Sequence, residues 1–176
     1  MLDVVVDELT KSITEVATGR SYATLISLAT LADLNAAATN WQFDWVQELT
    51  KAEVYKLTAP KLGRLIHGLV SLTRSPNFIL VNIVESHPEN IGRGEKYAEV
   101  AGNLIAYAAK LSFELGLQGV VAWDAKSELI EHYREKFGAV QVGHSQRMFL
   151  RSSEAQRLVD QYFGGKHEEP RKTGRR

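Results

Sequence analysis

Two stretches of the chain carry helical spacing of apolar residues, and a short apolar run separates them. In KYAEVAGNLIAYAAKLSFELG, residues 96–116, the residues Leu104, Ile105, Ala108, Leu111 and Leu115 fall on one face of a helix. Gly116 stands where such a helix stops. QGVVAW, residues 118–123, is a continuous apolar run of strand length and predicts a buried strand. KSELIEHYREKFG then buries Leu129, Ile130, Tyr133 and Phe137 on one side and ends at Gly138. The unit is loop, helix, strand, helix.

The flanks are richer in strands. Leu2 to Val6 is apolar and β-branched, and residues 13–17 and 22–28 flank a Thr18-Gly19-Arg20 turn, which predicts a hairpin. Thr30 is placed to cap a helix reaching Ala38. NWQFDWVQELT then puts Trp41, Phe43 and Trp45 within five residues, either as a core cluster or as the wall of a pocket. Residues 53–58, 65–72 and 78–84 predict three successive strands, separated by Pro60-Lys61 and Ser75-Pro76-Asn77. Lys56 and His67 are expected on solvent faces of these strands, and Asn82 is expected to need a polar partner or a cleft. Residues 140–142 and 147–150 form a last hairpin, and Ser152 caps a final helix over residues 153–163.

Composition narrows the chemistry. The 176 residues, 44% hydrophobic and 24% charged, suit one globular domain, assigned to residues 1–163. There is no cysteine, which excludes thiol catalysis, disulfides and Cys-type zinc sites. The five histidines form no H-x-x-x-H pair, so no metal is expected. The N-terminus lacks a charged region followed by an apolar core, and no apolar run is long enough to span a bilayer, so a cytoplasmic protein with no membrane partner is expected. Net charge is zero, which argues against nucleic acid as a partner. The charge is uneven: residues 164–176 hold Lys166, Arg171, Lys172, Arg175 and Arg176 against Glu168 and Glu169. That polar, basic tail is expected to be disordered.

The order of these elements resembles the acyl-CoA-binding half of the GNAT superfamily of N-acetyltransferases, over roughly residues 53–150. The resemblance implies an α/β (α+β) fold with a mixed, mostly antiparallel central sheet flanked by helices. In that family a loop of pattern Q/R-x-x-G-x-G/A precedes a helix, and its backbone N–H groups hold the pyrophosphate of CoA. The matching residues are Lys96, Tyr97, Ala98, Glu99, Val100 and Ala101. Lys96 replaces Gln or Arg, and Glu99 stands at the first Gly. A carboxylate there faces an anion, and a φ above zero strains any residue but Gly. HYREKFGA, residues 132–139, is similar to the family's F-Y-x-K-x-G-F ending, and Lys126 takes the place of an Asn seven residues before the Tyr.

The resemblance implies transfer of an acetyl group from acetyl-CoA to a primary amine, by direct attack in a ternary complex. Tyr133 is then the general acid on the CoA sulfur, and Glu85, at the exit of the strand over residues 78–84, is the candidate base. Val84, Arg93, Lys96, Tyr97, Ala98, Glu99, Val100, Ala101, Gly102 and Lys126 are the expected contacts to acetyl-CoA. The acceptor, small molecule or protein, is left open, as is the oligomeric state, a homodimer included. Glu99, Lys126 and the long loop over residues 86–95 motivate an alternative, a non-catalytic GNAT-like binding or regulatory protein.

Overall fold

The predicted hairpin joins β1 (Asp7–Glu15) to β2 (Ser21–Leu28) in the computed structural model, which describes residues 7–37 and 39–164. The apolar run over residues 2–6 and the basic tail over residues 165–176 lie outside the described residues. Thr30 caps α1 (Leu31–Ala36) through a reciprocal pair: its hydroxyl accepts from Asp33 N–H at 3.1 Å, and Asp33 Oδ2 accepts from Thr30 N–H at 2.8 Å. Asp44 caps α2 (Trp45–Leu49) by accepting from Gln47 N–H at 3.0 Å. β3 (Glu53–Thr58), β4 (Ile66–Arg74) and β5 (Ile79–Ser86) follow as an antiparallel meander.

A two-residue strand, β6 (Tyr97–Ala98), pairs with β1 at one edge of the sheet. Then come α3 (Val100–Glu114), β7 (Val121–Asp124), α4 (Ile130–Phe137), β8 (Val140–Gln141), β9 (Arg147–Leu150) and α5 (Ser152–Phe163). The described strands form one sheet in the order β6-β1-β2-β3-β4-β5-β7-β9-β8. β5 and β7 are its parallel neighbours, and α3 makes the crossover that a parallel pair requires. Their pairing stops after three residues, at Val81 opposite Trp123. Beyond that point β5 runs on to Ser86 without β7 beside it.

α3 is buried nearly all round, because the sheet covers one side and α5 the other. Gly68 on β4 allows the close approach: a Cβ there would lie 2.6 Å from Val100 Cγ1 and 2.9 Å from Leu104 Cδ1. On the opposite face α1 and α2 build a second core from Leu34, Trp45, Val54, Ile66 and Leu69. α4 ends at Gly138, whose φ of 67° lets its N–H turn back to Arg134 O at 3.0 Å.

Four expectations are corrected here. His67 is 1% exposed rather than solvent-facing, because β4 is central and helices cover both of its faces. Lys56 is half-buried and ion-paired to Asp33 at 2.9 Å. Tyr97 and Ala98, expected in the loop before the helix, form a strand, since β1 offers them ladder hydrogen bonds. Ser152 is the first helical residue; Arg151 is the N-cap, with no side-chain capping bond. Asn82 has the polar partners it was expected to need, donating to Ser71 Oγ at 3.1 Å and Thr73 Oγ1 at 2.8 Å.

Candidate active site

Where β5 and β7 part, they leave a cavity of about 420 Å³. Residues 81–86 of β5 form one wall and residues 123–126 the other, with Ala101 and Ile105 of α3 beneath. Gln42 and Phe43, Ile91, Leu129 and Tyr133 complete it. The topology thus brings Val84, Glu85, Ala101, Lys126 and Tyr133, distant in sequence, to one place. A larger groove of about 990 Å³ between α1 and residues 58–66 contains none of the expected site residues.

Tyr133 is half-buried on α4. Its ring meets Trp123 edge-on at 5.5 Å and stacks on Phe137 at 6.0 Å. Burial raises its pKa above the usual phenol value, so the hydroxyl is a proton donor at neutral pH. Lys126 is exposed at the cavity, at the start of the turn that leads into α4. Asp124 is exposed and held by Arg147 at 2.6 Å.

Glu85, the candidate base, is engaged by hydrogen-bond donors from the segment before α2. Its buried carboxylate accepts from Gln42 N–H at 2.7 Å, Phe43 N–H at 3.2 Å and Trp45 Nε1–H at 2.8 Å. Three donors take most of the roughly four lone-pair sites of a carboxylate. Glu85 therefore pins the aromatic segment before α2 to the end of β5. That segment divides between both expected roles: Trp45 is core at 2% exposure, whereas Phe43 is exposed at the cavity rim. Trp41 packs edge-on against His87 at 5.9 Å.

The loop from β5 to α3 is tied to β4. His87 N–H donates to His67 O at 2.8 Å, and Asn90 Nδ2 lies 3.3 Å from His67 Nδ1. Asn90 Oδ1 in turn accepts from Tyr97 N–H at 3.2 Å. Burial, with His87 adding to it, pushes the His67 pKa down to about 4, so the ring is neutral. Two expected CoA contacts are drawn into this scaffold. Tyr97 has committed its N–H and buries its ring against Tyr22 and His67. Lys96 lines a separate hollow with Glu15, Glu89 and Glu95 and lies over the Tyr97 ring. Arg93 is exposed in the loop, and Ala98 is half-buried in β6.

Glu99 is the N-cap of α3, with φ 77° and ψ 10°, the left-handed conformation that a glycine in its place would adopt freely. Its carbonyl accepts from Asn103 N–H at 3.1 Å and Asn103 Nδ2 at 2.6 Å. The Glu99 side chain does not cap the helix. Helix geometry therefore leaves the first-turn amides of Val100, Ala101 and Gly102 as donors, at the positive end of the helix dipole.

No protein-family model matches the chain, and no curated protein matches its sequence. Solved structures match its fold. The AtaT-AtaR complex bound to DNA is 15% identical and aligns over 76% of this chain and 97% of its own, with TM-score 0.54. AtaTR bound with AcCoA is 14% identical over 76% and 97%, with TM-score 0.51. AtaT complexed with acetyl-methionyl-tRNAfMet is 15% identical over 77% and 98%, with TM-score 0.52. The chain has the GNAT fold.

The GNAT-fold neighbours overturn one expectation. Zero net charge argued against nucleic acid, yet one neighbour is bound to DNA as a complex and another to a tRNA. Net charge sums a whole surface, whereas phosphate contacts need only a local concentration of positive charge. Among the described residues no helix is long and apolar enough to cross a membrane, and no group of side chains is suited to hold a metal.

The residues that sequence reasoning missed are Gln42, Ile91, Trp123 and Leu129 in the cavity wall, and Tyr162 beside Glu99. Trp123 closes a predicted strand, and it had a findable signal, since strand ends border this cleft. Tyr162 had none beyond its place on the apolar side of α5.

Proposed function

We propose that this chain is an acetyl-CoA-dependent N-acetyltransferase acting by direct attack in a ternary complex. One observation carries the reading: the splay of β5 from β7 puts an unpaired strand edge, the α3 N-terminus and Tyr133 around one cavity. The residues fit the co-substrate. β5 beyond Val81, with Val84 at its middle, offers backbone groups to an amide-bearing chain as a neighbouring strand would. The amides of Val100, Ala101 and Gly102 suit a pyrophosphate. Lys126, and Arg93 from the loop, add positive charge.

In this reading Gln42 and Phe43, held by Glu85, form the acceptor side. The amine nitrogen attacks the thioester carbonyl carbon, the C–S bond breaks, and the Tyr133 hydroxyl protonates the leaving sulfur. The proton lost by the attacking amine passes to water at the open mouth, and the Tyr133 phenolate takes a proton back from water. Alignment of the two reactants supplies much of the acceleration. We include amines carried on RNA among the acceptors, on the strength of the neighbour bound to acetyl-methionyl-tRNAfMet and of the basic residues 164–176.

The test is thiol release from acetyl-CoA with a panel of small amines, peptides and aminoacyl-tRNAs, beside calorimetric titration with acetyl-CoA. Acceptor-dependent thiol release supports the proposal. Binding without release from any acceptor favours the non-catalytic alternative, and no binding at millimolar acetyl-CoA overturns the reading of the site.

A further inference from the structure

We propose that Tyr162, near the end of α5, is a positioning residue for acetyl-CoA binding: it holds the Glu99 carboxylate beside α3 and leaves the first-turn amides open to the pyrophosphate. This inference rests on the reading of the site given above. A short N-cap side chain such as Asp accepts from the N–H two or three residues on, and a carboxylate left loose at this position has the same donors within its reach. From Glu99 those donors are Ala101 and Gly102, the same groups a pyrophosphate would use. Glu99 makes no such bond; its Oε2 accepts a short hydrogen bond from the Tyr162 hydroxyl instead.

Four residues at two helices fit together to make this arrangement. Tyr162 is 3% exposed, and its ring is part of the α3–α5 core. Gly102 clears the space into which the phenol reaches: a Cβ there would lie 2.2 Å from Tyr162 Oη and 3.0 Å from Cζ. Glu99 Oε2 would stand 3.4 Å from that Cβ, so the carboxylate lies along the flank of the first turn rather than across its end. Asn103 fixes the other end of Glu99 by donating to its carbonyl. Burial, the hydrogen bond and the charge of Glu99 all raise the Tyr162 pKa, so the phenol remains a donor throughout the neutral range. A glycine here would need no such device. The carboxylate at this position, which the loop pattern alone cannot accommodate, has a partner that draws it aside.

Acetyl-CoA is titrated by calorimetry into wild type, Tyr162→Phe, Glu99→Gln and the double variant, at low and high salt. Tyr162→Phe keeps the buried ring, and thermal melts of all four check folding. Releasing the carboxylate should weaken acetyl-CoA binding about fivefold or more at low salt, the size of a unit-charge repulsion at contact distance in water. The loss should shrink as salt rises. In the Glu99→Gln background the phenylalanine should cost less than about twofold, because no charge remains to be released. In turnover the loss should fall on KM for acetyl-CoA rather than on kcat. Equal affinity of wild type and Tyr162→Phe would overturn the proposal while leaving the site reading intact. So would a loss that persists undiminished in the Glu99→Gln background, which would assign Tyr162 a packing role only. Absence of acetyl-CoA binding by folded wild type would instead overturn the site reading, and this proposal with it.

Discussion

Replacing Glu85 with Ala removes the acceptor of three hydrogen bonds and leaves their donors behind. The donors are not equal. Gln42 and Phe43 are exposed residues whose amides can turn to water once released. Trp45 is 2% exposed, and its indole N–H has nowhere else to go. A buried donor stripped of its partner costs about 1–3 kcal/mol, toward the upper end where the lost partner is charged. Counting the indole in full and the two amides in small part gives a destabilisation of about 3 kcal/mol. For a chain of this size that lowers Tm by roughly 6–12 °C. Glu85→Gln should cost roughly half as much, since its carbonyl still accepts while its amino group faces donors. Urea unfolding followed by tryptophan fluorescence measures both. A loss below about 1 kcal/mol for Glu85→Ala would refute the anchoring argument. If the anchor is real, acceptor KM should also rise in Glu85→Gln, because the rim residues it positions would move.

Three further outcomes are expected. Tyr133→Phe should lower turnover by roughly 10²–10⁴-fold, the scale of general acid catalysis, with acetyl-CoA affinity unchanged by calorimetry; unchanged turnover would remove Tyr133 from the chemistry. His67, whose folded pKa is about 4 against an ordinary 6.5, binds its proton more readily when unfolded. Its contribution is therefore intact above pH 6.5 and is lost as pH falls from 6.5 toward 4, by about 3 kcal/mol in all, and His67→Gln should flatten urea midpoints measured across that window. Gly68→Ala should destabilise the fold by about 1–3 kcal/mol, because its Cβ would push Val100 and Leu104 off β4; a neutral thermal melt would show that α3 has room to move.

The parts of this architecture that sequence reveals are those decided locally. β3 is legible to the residue, since its strand pattern runs up to the Pro60-Lys61 turn. The Thr30 cap and the Gly138 stop are legible for the same reason. What stays hidden depends on partners far along the chain. β6 is a strand because β1 lies beside it, which two residues cannot announce. His67 looks like a solvent-facing polar residue until helices are known to cover both sides of β4. The donors to Glu85 stand 40 to 43 residues away in sequence, and Tyr162 stands 63 from Glu99. Residue types named from the family pattern reached the cavity where they sit on β5, on α4 or on the turn between β7 and α4, as Val84, Tyr133 and Lys126 do. They missed it where β1 and Asn90 claim the same segment, as for Tyr97.

The parting of β5 from β7 has a consequence for how such a protein changes over generations. The exposed edge of β5 is peptide backbone, present whatever side chains the strand carries. Substitutions that keep β5 extended and α3 packed against it leave that edge unaltered. The proposed acceptor wall, by contrast, is made of side chains on a separate segment, held on by Glu85 and by the burial of Trp45. One half of the cleft is thus nearly immune to mutation while the other is free to be rewritten. On the proposed reading, a lineage built this way exchanges one acceptor for another without rebuilding the donor half.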